Sequence, residues 1–152
     1  MTDGNQSIDV RHRARSFDRI RQAHQTEVAE DYVELIADLI EANGEARVVD
    51  LAECFGVTHA TAAKTVGRLQ REGLVTTRPY RSIFLTEAGE DLARMARRRH
   101  EIVRDFLLVI GVGEHNAEMD AEGIEHHVSD ETLEVFQRII EEGLPPGRNG
   151  TS

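Results

Sequence analysis

The feature that most constrains the fold is a pair of short helical patterns separated by a glycine turn. Val48–Phe55 has apolar residues at helical spacing, and Gly56-Val57 then predicts a tight turn. Thr58 is a good N-cap for a second helix of about 60–72, since its hydroxyl can accept from the first free backbone N–H groups. Gly73 is expected to end that helix, so the segment predicts a helix-turn-helix.

Two short β-like runs follow this helix pair directly. Leu74–Arg78 and Ser82–Leu85 flank Pro79-Tyr80-Arg81, which predicts the tip of a hairpin. A helix-turn-helix followed at once by a two-stranded ribbon predicts a winged helix. The alternative is an αα-hairpin and a β-hairpin that have no role in nucleic-acid binding.

The outward face of the second helix is polar, basic and built from small residues, as in helices that enter the major groove. We expect phosphate contacts from Lys64, Arg68, Arg78 and Arg81, and base-edge contacts from His59, Ala60 and Thr61. The full set of candidate DNA-binding residues comprises Thr58, His59, Ala60, Thr61, Lys64, Thr65, Arg68, Arg78 and Arg81.

The distribution of charge matters more than the net charge of −10. Residues 46–81 carry six basic and three acidic side chains, a net of +3, whereas residues 113–143 carry ten acids and one base, a net of −9. A basic middle and an acidic C-terminal part suggest one surface for an anion and one for a cation.

The acidic part contains Asp120–His127, in which Glu122, Glu125 and His126 stand at helical positions i, i+3 and i+4. Side chains at this spacing share one face of a helix. Two carboxylates and an imidazole form a donor set that divalent metals favour. Gly123 is costly inside a helix, by about 1 kcal/mol relative to alanine, and suggests the close approach of another element. The alternative is a solvated acidic helix with a surface histidine.

The remaining helices supply further candidate ligands. A helix of about 16–42 carries Asp31 and Glu34 beside its apolar stripe, and a long helix of about 87–110, capped by Thr86, carries His100. The acidic helix is expected at about 115–127, and Ser129 is expected to cap the last helix. These patterns predict a mostly α protein with a small β-wing: a disordered tail over 1–19, a winged-helix DNA-binding domain over 20–85, a helical metal-binding and dimerisation domain over 86–143, and a second tail over 144–152.

The combined candidate set is oxygen-rich and contains no thiolate. Its members are Asp31, Glu34, His100, Glu122, Glu125 and His126. Six residues exceed what one tetrahedral zinc needs, and four carboxylates balance the charge of two divalent cations. Such ligands suit Mn²⁺ better than zinc or copper, although affinity alone would favour the later metals.

Five segments carry a resemblance to the DtxR family of metal-dependent repressors, and within it to the manganese-responsive branch. They are Asp31–Glu34, Gly44–Arg47, Arg99–Glu101, Phe106–Val112 and Asp120–His127. The resemblance implies a winged helix joined to a helical dimerisation domain, with paired metal ligands at the six candidate residues. Iron-responsive relatives carry sulfur ligands where this chain has Asp31 and Glu122. His24, His115 and His127 are not part of the implied ligand set.

The resemblance implies a homodimeric transcriptional repressor that Mn²⁺ activates and that binds a double-stranded DNA operator. Two ions per subunit are expected, and other divalent metals are expected to substitute for manganese. The polar N-terminus and single cysteine predict a cytoplasmic protein without a membrane segment, and no enzymatic activity is expected. The alternatives are an iron- or other-metal-responsive regulator, a di-metal carboxylate enzyme in a helical bundle, and a winged helix that senses an organic ligand.

Overall fold

The computed structural model describes residues 9–78 and 82–145, and most of them are helical. The elements in chain order are α1 (Val10–Asn43), β1 (Ala46–Arg47), α2 (Val48–Phe55), α3 (His59–Arg71), β2 (Val75–Thr77), β3 (Ser82–Leu85), α4 (Glu87–Val109), α5 (Glu114–Ile124), a 3-10 turn (Glu125–His127) and α6 (Asp130–Glu142). The predicted fold class, mostly helical with a small β-wing, is confirmed.

The wing belongs to an antiparallel sheet of three strands in the order β1-β3-β2. Thr77 pairs with Ile83 across the hairpin, and Ile83 pairs with Ala46 on its other side. The sequence predicted only the two strands of the hairpin. The third strand is two residues long, and a pair of residues is too short to show a period-two pattern. The predicted hairpin tip, residues 79–81, lies outside the described residues.

Three helices, α3, α4 and α6, begin directly after the predicted capping residues. The side-chain oxygens of Thr58, Thr86 and Ser129 accept from backbone N–H groups three residues further on, at 3.1, 3.1 and 3.2 Å. These caps are interactions between near neighbours in sequence, so each could be recognised without knowledge of the tertiary fold.

Two helices differ from the prediction at their ends. The first helix begins at Val10, inside the stretch expected to be disordered, because the Asp9 carboxylate caps it by accepting from the backbone N–H groups of Arg11 and His12. The acidic helix ends at Ile124, and Glu125–His127 form a 3-10 turn instead of continuing it. The prediction that Glu122, Glu125 and His126 share one face of a single α-helix is therefore wrong, because Glu125 and His126 lie in the 3-10 turn.

Two apolar cores lie on either side of the junction between α1 and α4. The first core packs Tyr32 and Ile36 of α1 against α2, α3 and the sheet. The second packs Val103 of α4 against α5 and α6. The long helices α1 and α4 contact each other directly, so they join the winged-helix part to the helical part.

The start of α4 is held close to the end of the helix-turn-helix. The backbone N–H of Thr86 donates to Leu74 O at 3.0 Å, and a Cβ built on Gly89 would lie 2.0 Å from the same carbonyl oxygen. Only glycine fits at this approach. By contrast, a Cβ on Gly123 would meet no atom of the described chain within 4 Å, so the close approach predicted there is wrong within the subunit.

None of the helices in the described ranges combines the length and the apolar character needed to cross a membrane.

Candidate metal centre and nucleic-acid interface

A buried carboxylate, that of Glu125, lies between two histidines. Its Oε2 is 3.6 Å from Nδ1 of His100 on α4, and its Oε1 is 3.4 Å from Nε2 of His126. The residue is 1% exposed, and neither oxygen has a hydrogen-bond partner among residues 9–78 and 82–145. A buried carboxylate without hydrogen-bond partners is costly, and a cation on each side would offset that cost.

Carboxylates from α1 and α5 complete two groups around this centre. Glu122 Oε1 lies 3.8 Å from His100 Nδ1, and Asp31 Oδ1 lies 3.0 Å from His126 Nε2. Glu34 lines the same cavity as Asp31 and Glu122. The structure thus brings together all six sequence-predicted candidates, from α1, α4, α5 and the 3-10 turn. Their imidazole and carboxylate donors fit divalent cations, and the orphaned oxygens of Glu125 are the strongest sign of that fit.

The protonation of the centre reflects its crowding by acids. Burial raises the pKa of Glu125 to about 7, although the neighbouring histidines act against this rise. Burial lowers the pKa of His126, but hydrogen bonds with Asp31 and Glu30 outweigh it and raise the value to about 10. Burial and the charges of Glu122 and Asp38 raise the pKa of Glu34. These carboxylates compete for protons, as expected of acids gathered without a cation.

Two carboxylates that the sequence did not single out hold the outer nitrogens of the histidines. Glu30 Oε2 lies 2.7 Å from His126 Nδ1, and Glu118 Oε1 lies 2.7 Å from His100 Nε2. A ring N–H that donates to a carboxylate leaves the other nitrogen to face a metal. The other ring nitrogen of each histidine, Nε2 of His126 and Nδ1 of His100, lies next to Glu125.

The buried Glu30 is itself braced by Arg99 of α4. Arg99 Nη1 lies 3.8 Å from Glu30 Oε1, and its Nη2 donates to Val128 O at 2.7 Å. The signal missed in the sequence is that Glu30 is directly next to Asp31. Two adjacent acids in a sequence have the appearance of a single solvent-exposed pair. Only the packing of α1 shows that Glu30 is buried and that Asp31 faces His126 Nε2.

The predicted DNA-binding residues lie mostly at the exposed start of α3. Thr58, His59, Ala60, Thr61 and Lys64 are exposed, and Thr65 is half-buried with its hydroxyl donating to Thr61 O at 3.2 Å. Thr58 also donates to the Thr61 hydroxyl at 2.9 Å, so its side chain is engaged in capping. This arrangement presents a polar helix N-terminus without deep burial.

The three predicted arginines have different surroundings. Arg68 donates from Nη2 to Gln25 O of α1 at 3.0 Å and lies 3.6 Å from Glu72, so its guanidinium is engaged within the fold. Arg78 is exposed, with its guanidinium over the Phe84 ring at 4.8 Å from the centroid. Arg81 lies outside the described residues.

Two family models match consecutive parts of the chain. Residues 24–83 match the iron dependent repressor N-terminal DNA-binding domain, and residues 86–142 match the iron dependent repressor metal-binding and dimerisation domain. The boundary between them falls at the start of α4, where Thr86 caps the helix.

Curated relatives and a solved structure agree with these matches. The chain is 50% identical to the transcriptional regulator MntR of Escherichia coli O6:H1 over 87% of this chain and 85% of the relative. It is 38% identical to an MntR of Lysinibacillus sphaericus over 74% and 81% of the two chains. A structure of the manganese regulator SloR matches with a TM-score of 0.65 and 27% identity over 74% of this chain, which spans about half (53%) of that longer chain. The protein therefore belongs to the DtxR family of metal-responsive, DNA-binding transcriptional repressors, in the group of the manganese regulators.

Proposed function

We propose that this protein represses metal-uptake genes in the cytoplasm when manganese is abundant, as a homodimer that binds operator DNA. Two divalent cations per subunit activate it, at the centre around Glu125. The names of its relatives support manganese as the signal, and the dimerisation-domain match supports the homodimer. These relatives are transcriptional regulators, and we propose no enzymatic activity for this chain.

The single observation that carries the proposal is the position of the Glu125 carboxylate, with one oxygen towards each histidine. One cation position would take His100, Glu122 and Glu125, with Glu34 beside them. The other would take Asp31, Glu125 and His126. Bound cations would supply positive charge that compensates the clustered carboxylates and joins the helices carrying them.

The ligands come from both parts of the molecule, which gives the proposed coupling its physical basis. Asp31 and Glu34 lie on α1, whose residues also pack in the winged-helix core, whereas His100 and Glu122 lie on α4 and α5. In the metal-free protein, repulsion between these acids loosens the junction. Relief of that repulsion fixes the orientation of α3 relative to the dimerisation part. Because two recognition helices must reach half-sites about 34–36 Å apart, orientation controls DNA affinity.

The donor set favours manganese over zinc and copper on chemical grounds. Carboxylate oxygens outnumber imidazole nitrogens, and neither group contains sulfur. Oxygen-rich sites suit harder, octahedral cations, whereas thiolates and tetrahedral sites favour zinc.

Operator binding measured by fluorescence anisotropy against Mn²⁺ concentration tests the proposal. We expect tight binding only with the metal, and we expect Glu125→Gln and Glu122→Ala to weaken the metal-activated step by at least about tenfold, since even the loss of an outer-shell partner commonly costs that much. The control is Glu131→Gln, an exposed acid at the start of α6. Equal operator binding with and without Mn²⁺, or unchanged manganese affinity in both centre variants, would overturn the proposal.

A further inference from the structure

We propose that Glu27 is a further metal ligand, which binds the cation held by Asp31 and His126. The inference rests on the proposed function, because it assigns an additional residue to the second of the two cation positions. It would make α1 the source of three ligands rather than two.

The position of Glu27 on α1 places it with the two other acids of that helix. Glu27, Asp31 and Glu34 stand at positions i, i+4 and i+7, which lie on one face of a helix. Glu27, Asp31 and His126 each offer one possible ligand atom, and these three atoms all lie within 4.8 Å of one another. A single cation can be reached by all three side chains only from such a close group.

A second observation marks the space between these residues as a ligand site. The side chain of Glu125 is 2% exposed, and its Oε1 faces His126 Nε2 at 3.4 Å from the buried side. That oxygen has no hydrogen-bond partner in the described part of the chain. A buried carboxylate without a hydrogen-bond partner therefore lies beside Glu27, Asp31 and His126. A cluster of exposed surface acids would have no such neighbour.

The other neighbours of Glu27 do not account for its place. Its Oε2 lies 3.4 Å from Nε2 of His127 and 3.9 Å from Nδ1 of His24, and these histidine side chains are 56% and 74% exposed. Ion pairs with exposed partners contribute little, about 0–1 kcal/mol. The Glu27 side chain is 28% exposed, and one of its possible ligand atoms lies within 4.8 Å of those of Asp31 and His126. A cation shared with Asp31 and His126 therefore accounts for its place better than these ion pairs do.

Glu27 would also affect which metal the second position prefers. With it, that position offers three carboxylates and one imidazole, a set suited to an octahedral cation such as Mn²⁺. Without it, two carboxylates and one imidazole remain, close to the three protein ligands of an open zinc site. Loss of Glu27 should therefore weaken manganese more than zinc.

Calorimetric titration of the full-length, metal-free protein with Mn²⁺, in the absence of DNA, tests this assignment. In Glu27→Gln we expect one of the two binding steps to weaken by at least about tenfold while the other stays within about twofold, since the first position does not include this residue. In the same variant, Zn²⁺ affinity should fall by a smaller factor.

Two matched controls distinguish loss of a metal ligand from loss of a nearby or surface charge. His127→Gln removes the exposed partner of Glu27, and Glu41→Gln removes the same charge from the exposed C-terminal end of α1. Both should retain both manganese steps. Unchanged manganese binding in Glu27→Gln, or an equal loss in His127→Gln or Glu41→Gln, would overturn the inference.

Glu125→Gln, titrated alongside, distinguishes the failure of this inference from the failure of the proposed function. If Glu125→Gln loses both steps and Glu27→Gln loses neither, only the role of Glu27 is wrong. If Glu125→Gln binds manganese normally, the metal centre itself is wrong, and the assignment of Glu27 fails with it.

Discussion

At the scale of single residues, burial of Glu125 destabilises the metal-free fold, and a bound cation would offset that cost. Its carboxylate is buried, and its oxygens lack hydrogen-bond partners within the described ranges. Ionisation in such a place is unfavourable, and burial accordingly raises its pKa to about 7. The cost would be recovered when a cation binds.

The protonation of this residue and of His126 predicts the pH dependence of the metal-free protein. The pKa of Glu125 is raised from 4.5 to about 7, and that of His126 from 6.5 to about 10. In both cases the folded state holds its proton more tightly than the unfolded state. Stability should therefore fall as pH rises from about 4.5 to 7 because of Glu125, and from about 6.5 to 10 because of His126. Thermal melts of the metal-free protein between pH 5 and 9 measure this fall.

The same melts in Glu125→Gln separate the two groups. The glutamine cannot ionise, so the decline below pH 7 should shrink while the decline above it remains. With saturating Mn²⁺ the stabilisation should instead grow with pH, because ligand atoms must release their protons to bind metal. A metal-free melting temperature that rose from pH 5 to 9 would contradict the pKa shifts of both residues.

At the scale of elements, α3 combines an exposed, polar start with an end that is anchored to α1. Lys64 is exposed, whereas Arg68, one turn further on, donates to the backbone of α1 and is 25% exposed. Positions i and i+4 share a face, so the sequence predicted the same role for both. Contact with α1 gives them different surroundings.

Substitution of these two residues should therefore have different effects. Lys64→Ala should weaken operator binding and reduce the slope of log K against log salt by about 1, because one phosphate contact is lost, with an unchanged melting temperature. Arg68→Ala should lower stability by about 1–3 kcal/mol through loss of its hydrogen bond to Gln25 O. Anisotropy at several salt concentrations and thermal melts measure both quantities.

Arg98→Ala, on the exposed face of α4, is the charge-matched control for this pair. It should leave the salt slope and the melting temperature unchanged. If Lys64→Ala bound operator like the unsubstituted protein at every salt concentration, the assignment of α3 as the DNA-contacting helix would be wrong.

At the scale of the whole molecule, apolar side chains are exposed around the second core, on the helical part. They include Leu108, Val109, Ile110, Met119, Ile124 and Val135. Residues 86–142 match a metal-binding and dimerisation domain. A second copy of the chain is the occupant that we expect on this surface, since a C2 dimer buries the same patch on both subunits.

Light scattering should accordingly find a homodimer at micromolar concentration, and Met119→Asp should shift it towards the monomer. Met119 is 61% exposed in the subunit, and a charge there would be costly if buried by a partner. Val49→Asp is the control, because Val49 is 54% exposed on α2, in the winged-helix part, and its substitution should leave the dimer intact. A monomeric unsubstituted protein would contradict the expected assembly.

The sequence alone determined the features that depend on near neighbours. The helix caps at Thr58, Thr86 and Ser129, the order of helix, turn, helix and hairpin, and the fold class all follow from local hydrogen bonds and periodicity. The six candidate ligands were also found in the sequence, because their residue types and family resemblance marked them. Their assignment as ligands stays a prediction.

The tertiary structure decided what depends on contacts between distant parts of the chain. Glu30 is 96 positions from His126 in sequence, and Glu118 is 18 positions from His100, so no local pattern could pair them. The 3-10 turn at Glu125 replaced the predicted helix and placed that carboxylate between two histidines. Glu27 was likewise indistinguishable from other surface charges, and Arg68 from the exposed Lys64, until the packing around α1 showed what each one contacts. The physical reason is that burial and pairing of a charge are properties of the assembled helices rather than of any one segment.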